Sequence, residues 1–159
     1  MTKGIVSGVV SNMVTLRVDG PVLQGEICYI TTGGDRLMAE VIKVVGSDVY
    51  VQVFESTRGL KVGSQAEFTG HQLEIQLGPG MLSKNYDGLQ NDLDKMDGVF
   101  LRRGQYTAPL DEDRLWDFEP IVKAGDRVQG SDWLGKVEEN HQPLKIMAPF
   151  QMEGTAVVK

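Results

Sequence analysis

Turn-forming residues interrupt this sequence so often that no periodic apolar segment is long enough to build a long helix. The 19 glycines, with Asp and Asn, separate short β-branched runs, the pattern of a sandwich or barrel. Ile5–Val10 and Val14–Val18 flank Ser11–Asn12, and Gly25–Thr31 and Leu37–Val45 flank Gly33–Gly34–Asp35. Gly46–Ser47–Asp48 then turns the chain into Val49–Phe54, where Val49, Val51 and Val53 alternate with Tyr50, Gln52 and Phe54, as in a strand with two unlike faces. The fold class expected is mainly β. Residues 1–70 should form a small closed barrel, a meander of roughly six strands whose closure removes the edges.

The pattern changes after His71. Leu73–Leu77 reads as one further strand, and Gly78–Pro79–Gly80 breaks it. Met81, Leu82, Tyr86, Leu89 and Leu93 then fall at helix-compatible spacings, so residues 71–109 are expected to be a connector with a short helix, weakened by Gly88. From Leu110 the charge run Asp111–Arg114 leads into Trp116–Pro120. Turns recur at Gly125–Asp126, Gly130–Asp132, Glu139–Asn140 and Gln151–Gly154. Residues 110–159 therefore read as a second small β module of barrel-sandwich type.

Composition narrows the function. Sixteen Lys and Arg against 22 Asp and Glu leave a net charge of −6, with no basic stripe to neutralise phosphates, which argues against a nucleic-acid partner. No apolar run is long enough for a membrane span or a leader core, so direct membrane insertion is not expected. Cys28 is the single cysteine and His71 and His141 the only histidines, too few soft ligands for a structural zinc; a reducing compartment is the default. Asp111, Glu112 and Asp113 lack the alternate-position spacing of a calcium loop, so no metal is assigned. Cys28 sits between Ile27 and Tyr29 on an expected strand and should be a buried thiol. Trp116 and Phe118 alternate and should face the core.

Two motifs imitate functional ones. Gly130–Ser131–Asp132–Trp133–Leu134–Gly135–Lys136 has the glycine and lysine spacing of a nucleotide phosphate loop. Val137 stands where that loop needs a hydroxyl for Mg²⁺, and the flanks read as strands, so a turn between strands is expected. Lys145, nine residues before Gly154, resembles the modified lysine of biotinyl and lipoyl carriers, but lacks their tight Met-Lys-Met or Asp-Lys-Ala turn. The expectation is a barrel-sandwich module without a prosthetic group, with a carrier or interaction module as the alternative. No catalytic constellation and no cofactor-binding residue is read from the sequence.

Leu77–Gly78–Pro79–Gly80–Met81–Leu82 followed by Tyr86–Asp87–Gly88–Leu89–Gln90 resembles a signature near the start of the catalytic alpha chain of V-type and archaeal A-type rotary ATPases. Val18–Val22, Val53–Gly63, Phe100–Gly104, Trp116–Pro120 and Gly125–Val128 resemble successive segments of the same family, in order. Asn91–Asp92 departs from the family's Arg-Pro, and Leu144–Phe150 from a run with a Pro-Pro pair. The resemblance marks Gly78, Pro79, Gly80, Tyr86, Asp87, Gly88 and Gln90 as structural signature positions. It implies a barrel that packs beside B subunits in a hexameric crown. It also implies an outward bulge with Trp116, Phe118 and Trp133 as anchors for stator or regulatory subunits. The phosphate loop, with ATP and Mg²⁺, would belong to a nucleotide-binding domain beyond Lys159, which makes this chain an expected N-terminal fragment. The parent would be cytoplasmic, peripheral on a membrane, and would couple ATP hydrolysis or synthesis to proton or sodium transport.

Overall fold

Alternation of apolar and polar residues is what sorts the first 72 residues into inward and outward faces. The computed structural model describes residues 1–96 and 103–159. Its first strands are β1 (Lys3–Val10), β2 (Met13–Val18), β3 (Glu26–Thr32), β4 (Asp35–Val45), β5 (Asp48–Val53) and β6 (Gln65–Gln72). Val14 and Leu16 of β2, Val49, Val51 and Val53 of β5 and Ala66 and Phe68 of β6 point inward and are buried. With Val6, Cys28, Ile30, Leu37, Ala39 and Val41 they form one core. Each of the larger side chains contributes about 1.5–3 kcal/mol on leaving water.

The six strands close into an antiparallel barrel in the order β1-β2-β5-β4-β3-β6, with β6 returning to β1. This corrects the meander expected from the turns. The three tight hairpins form where Gly and Ser were read, but β2 pairs with β5 and β3 with β6. The reason lies in residues 19–25: Pro21 lacks an N–H, and Glu26 accepts bonds from Leu23 N at 2.9 Å and Gly70 N at 2.7 Å, tying the crossover to the end of β6. Register shifts at Val6/Gly8, Glu26/Cys28 and Val41/Lys43 supply the bends that closure requires.

Leu73–Leu77 is not a strand, and Met81–Leu93 is not a helix. Gly80, Ser83 and Gln90 all take positive φ, which no helix allows, and Asp87 organises the segment as a turn instead. The only helical geometry among the described residues is the 3-10 turn Leu93–Lys95. Phe100, Leu101 and Arg102 lie outside the described residues.

Two compact units share the chain. The first comprises Met1–Ile75 and Lys95–Thr107, the second Gln76–Asp94 and Ala108–Lys159. In the first, Tyr106 donates its hydroxyl to Glu55 and accepts from Met38 N at 2.9 Å, while Arg103 meets Asp35 at 3.2 Å and the carbonyl of Arg58. These bonds fasten residues 103–107 to the barrel. In the second, β7 (Phe118–Pro120), β9 (Trp133–Glu139) and β10 (Gln142–Met147) form one sheet in the order β10-β9-β7, and β8 (Arg127–Val128) pairs with β11 (Ala156–Val157). Lys123–Asp126 and Gln129–Asp132 are copies of one turn: the first residue's N–H reaches the aspartate side chain at 2.7 and 2.8 Å, and the aspartate N–H returns to the first carbonyl.

Candidate functional site

The signature loop is built around one carboxylate. Asp87 Oδ1 accepts from Leu89 N at 2.9 Å and Asn91 N at 2.8 Å, and Oδ2 accepts from the Asn91 side chain at 2.9 Å. The turn they close puts Gln90 at φ 61°, which turns its side chain inward. There its amide accepts from Gln76 N at 2.7 Å and donates to Gln76 O at 2.6 Å, taking the place of a neighbouring strand. Tyr86 bridges to Asp92 and donates its hydroxyl to Pro109 O at 2.7 Å; burial raises its pKa. Buried Asp92 receives Lys84 at 3.1 Å, and that bond holds the lysine above its ordinary range.

The glycines of the signature differ in their reasons. Gly80 needs its φ of 105°, and a side chain at Gly78 would press within 3.0 Å of Leu110. Pro79 lies between them, half-buried. Nothing in the structure requires glycine at 88, which has open space around it. Leu82 N is held at 3.0 Å by Glu139, whose second carboxylate oxygen is buried without a hydrogen-bond partner among the described residues.

The three aromatic residues expected as anchors, Trp116, Phe118 and Trp133, are not core residues, which corrects the core expectation for Trp116 and Phe118. Phe118 and Trp133 are 47% and 45% exposed, and Trp116 is half-buried. Two-residue alternation is the same for an inward and an outward face, and this sheet has an outer face. Arg114 covers the Trp116 ring at 4.0 Å and Lys145 the Trp133 ring at 4.9 Å. Arg114, Trp116, Asp117, Glu119, Glu138 and His141 help to line a groove of about 600 Å³. Lys136 neutralises Glu119 at 2.8 Å, and the contact raises the lysine pKa.

Both imitation motifs are explained by packing. Gly130 admits the carbonyls of Pro149, Phe150 and Met152, each 3.1–3.2 Å from where a Cβ would stand. Gly135 lies under the Phe118 ring, which a Cβ would meet at 2.3 Å. Lys136 belongs to its ion pair, Val137 is buried, and the segment after the turn is strand. Lys145 lies in mid-strand opposite Lys136, while the hairpin tip is Asn140–His141, so it is not presented as carrier lysines are. Among the described residues no group of three His, Cys, Asp or Glu is placed to hold a metal. Sequence reasoning passed over Glu26, Glu55, Tyr106 and Glu139, polar residues whose roles depend on distant backbone and leave no local pattern.

The family model described as ATP synthase alpha/beta family, beta-barrel domain, matches residues 6–70, and that of the ATP synthase alpha/beta subunit barrel-sandwich domain matches residues 107–159. The chain belongs to the ATP synthase alpha/beta family. Within it, the chain is similar to the N-terminal region of the V-type ATP synthase alpha chain. It is 47% identical over 152 residues to that protein of Borreliella afzelii (strain PKo), a match covering 94% of this chain and 26% of the relative. The V-type ATP synthase alpha chain of Borrelia garinii subsp. bavariensis is also 47% identical, with the same coverage. The chain spans about a quarter of the length of the curated relatives it matches.

Proposed function

We propose that these residues form the N-terminal barrel and bulge of the catalytic alpha chain of a V-type or A-type rotary ATPase, which couples ATP hydrolysis or synthesis to proton or sodium transport. In this reading the barrel packs beside B subunits in the A3B3 crown, and the bulge offers Trp116, Phe118 and Trp133 to stator or regulatory subunits. ATP and Mg²⁺ act in a nucleotide-binding domain outside these residues, and the assembled complex sits peripherally on a membrane. No helix among the described residues is long and apolar enough to cross one.

The observation that supports the crown role is an apolar surface on a barrel whose core is already filled. Val10, Phe54 and Val62 are 76%, 37% and 67% exposed. Val10 ends at the β1–β2 hairpin, and Phe54 and Val62 lie on the Phe54–Ser64 connection, which is bonded to that hairpin by Thr57 Oγ1 to Ser11 O at 2.6 Å. Exposed apolar area of this kind is what an obligate ring interface covers.

The test is reconstitution of a full-length V-type ATP synthase alpha chain carrying this region with its B-type partner, followed by native mass spectrometry. Val10→Lys with Val62→Lys should abolish the hexamer while circular dichroism of the alpha chain stays unchanged. A hexamer that assembles equally well with both lysines would overturn the crown role.

A further inference from the structure

The groove beside Trp116 has a chemistry that selects its occupant. Glu119 pairs with Lys136, whose charge also attracts Glu138, and His141 approaches Glu138 at 3.3 Å; Asp117 has no Lys or Arg within 4 Å among the described residues. With Arg114 also in the lining, Asp117, Glu119 and Glu138 still outnumber the cations beside them, so the groove of about 600 Å³ with its indole wall is net negative, and Asp111–Glu112–Asp113 lies just upstream in sequence. An aromatic ring beside carboxylates favours an alkylammonium or guanidinium over any neutral or anionic group. The chain shows this preference in cis, since Arg114 stacks on that ring at 4.0 Å.

We propose that this groove receives a basic segment of a partner protein, seating an Arg or Lys side chain against Trp116 between the Asp117 and Glu138 carboxylates. The proposal rests on reading the bulge as a partner-binding arm and names the charge of the partner. A second copy of this chain, itself at −6, would be repelled, as would nucleic acid or an anionic lipid surface. Leu115, 93% exposed at the rim, offers an apolar contact to the residues flanking the cation, which a free cation could not use. The volume lies within the range that holds a well-defined ligand group.

The experiment uses the 159-residue chain, isotopically labelled, and three probes: acetyl-Leu-Arg-Ala-Leu-Arg-amide, its glutamate counterpart, and free arginine. The basic peptide should move the Trp116 indole and Asn140 side-chain resonances, bind more weakly as salt is added, and lose about tenfold in affinity with Asp117→Asn plus Glu138→Gln. Glu67→Gln, which removes a carboxylate from the exposed face of the barrel, should leave binding unchanged. The proposal is overturned if the basic peptide moves neither resonance, if the double variant binds as the parent does, or if free arginine binds as tightly as the peptide. The crown reading is judged separately by the barrel lysine variants, so one can fail without the other.

Discussion

Glu26 shows how one residue can hold a barrel closed. Its two oxygens serve Leu23 N and Gly70 N, and the residue is 4% exposed although Leu23 and Gly70 are themselves exposed, so Glu26→Ala removes two charge-assisted bonds whose donors water can then reach. A loss of about 1–2 kcal/mol is expected, read as a lowered urea midpoint by circular dichroism. Cys28 gives a second prediction. Burial first, and then the Glu26 charge, pushes its thiol from 9.0 up to about 12. Between those values the unfolded chain has lost the proton and the folded chain keeps it, so stability falls as pH rises, by about 1.4 kcal/mol per pH unit. Cys28→Ala should flatten the stability profile above about pH 9 relative to the parent, and the parent thiol should resist an aromatic disulfide reagent at neutral pH until the protein is unfolded. The burial of Cys28 was legible from its strand setting. Glu26 was not, because a carboxylate that caps backbone 44 residues away has no neighbours in sequence that announce it.

At the scale of elements, the hairpins were legible because their turns are chemical. Gly33 and Gly34 both take positive φ, as a type I′ turn requires, and Gly46 supplies it at the first position of the next turn. The same logic exposes two compromises. Ser11 sits at φ 57°, and Asn140 and His141 at 49° and 62°. His141→Gly should therefore stabilise the β9–β10 hairpin by about 0.5–1 kcal/mol, measured by thermal unfolding followed at Trp133. Gly135 makes the opposite case. Gly135→Ala would force the Phe118 ring aside and should cost about 2 kcal/mol or more. The Glu119 carbonyl, 2.5 Å from the same Cβ, would remain in a Phe118→Ala background, so removing the ring should recover only part of the cost in a double-mutant cycle in urea; a Gly135→Ala that costs less than about 0.5 kcal/mol would refute the packing explanation. The loop after Leu77 was misread for a related reason. Helix-compatible spacing there arises in a segment whose bonds run from Asp87 to nearby N–H groups and from Gln90 to the Gln76 backbone, and hydrophobic periodicity is blind to both.

For the whole molecule, a closed barrel and a second β module could be read from turn spacing and resemblance, whereas the strand order and the sharing of the chain between units could not. Strand order depends on the long crossovers 19–25 and 54–64, whose sequences resemble any loop. The barrel's apolar rim predicts concentration-dependent behaviour for the isolated chain. Val10→Lys with Val62→Lys should raise its solubility limit without changing its melting temperature by more than about 2 °C, assessed by light scattering beside calorimetry, because both side chains are already in water.

The alternation of the chain between its two units also sets an order of events during synthesis. Gln76–Asp94 leaves the ribosome well before β9, which carries the Glu139 that will hold Leu82, and before Pro109, which will receive Tyr86. At about 5–20 residues per second, Pro109 follows Asp94 by about 1–3 s and Glu139 by about 2–9 s. Until they emerge, the barrel's strands are complete while the signature loop has only its own internal bonds. Asp87 and Gln90 are therefore the contacts on which the nascent loop depends, and the loop's later partners arrive to a shape that is already set.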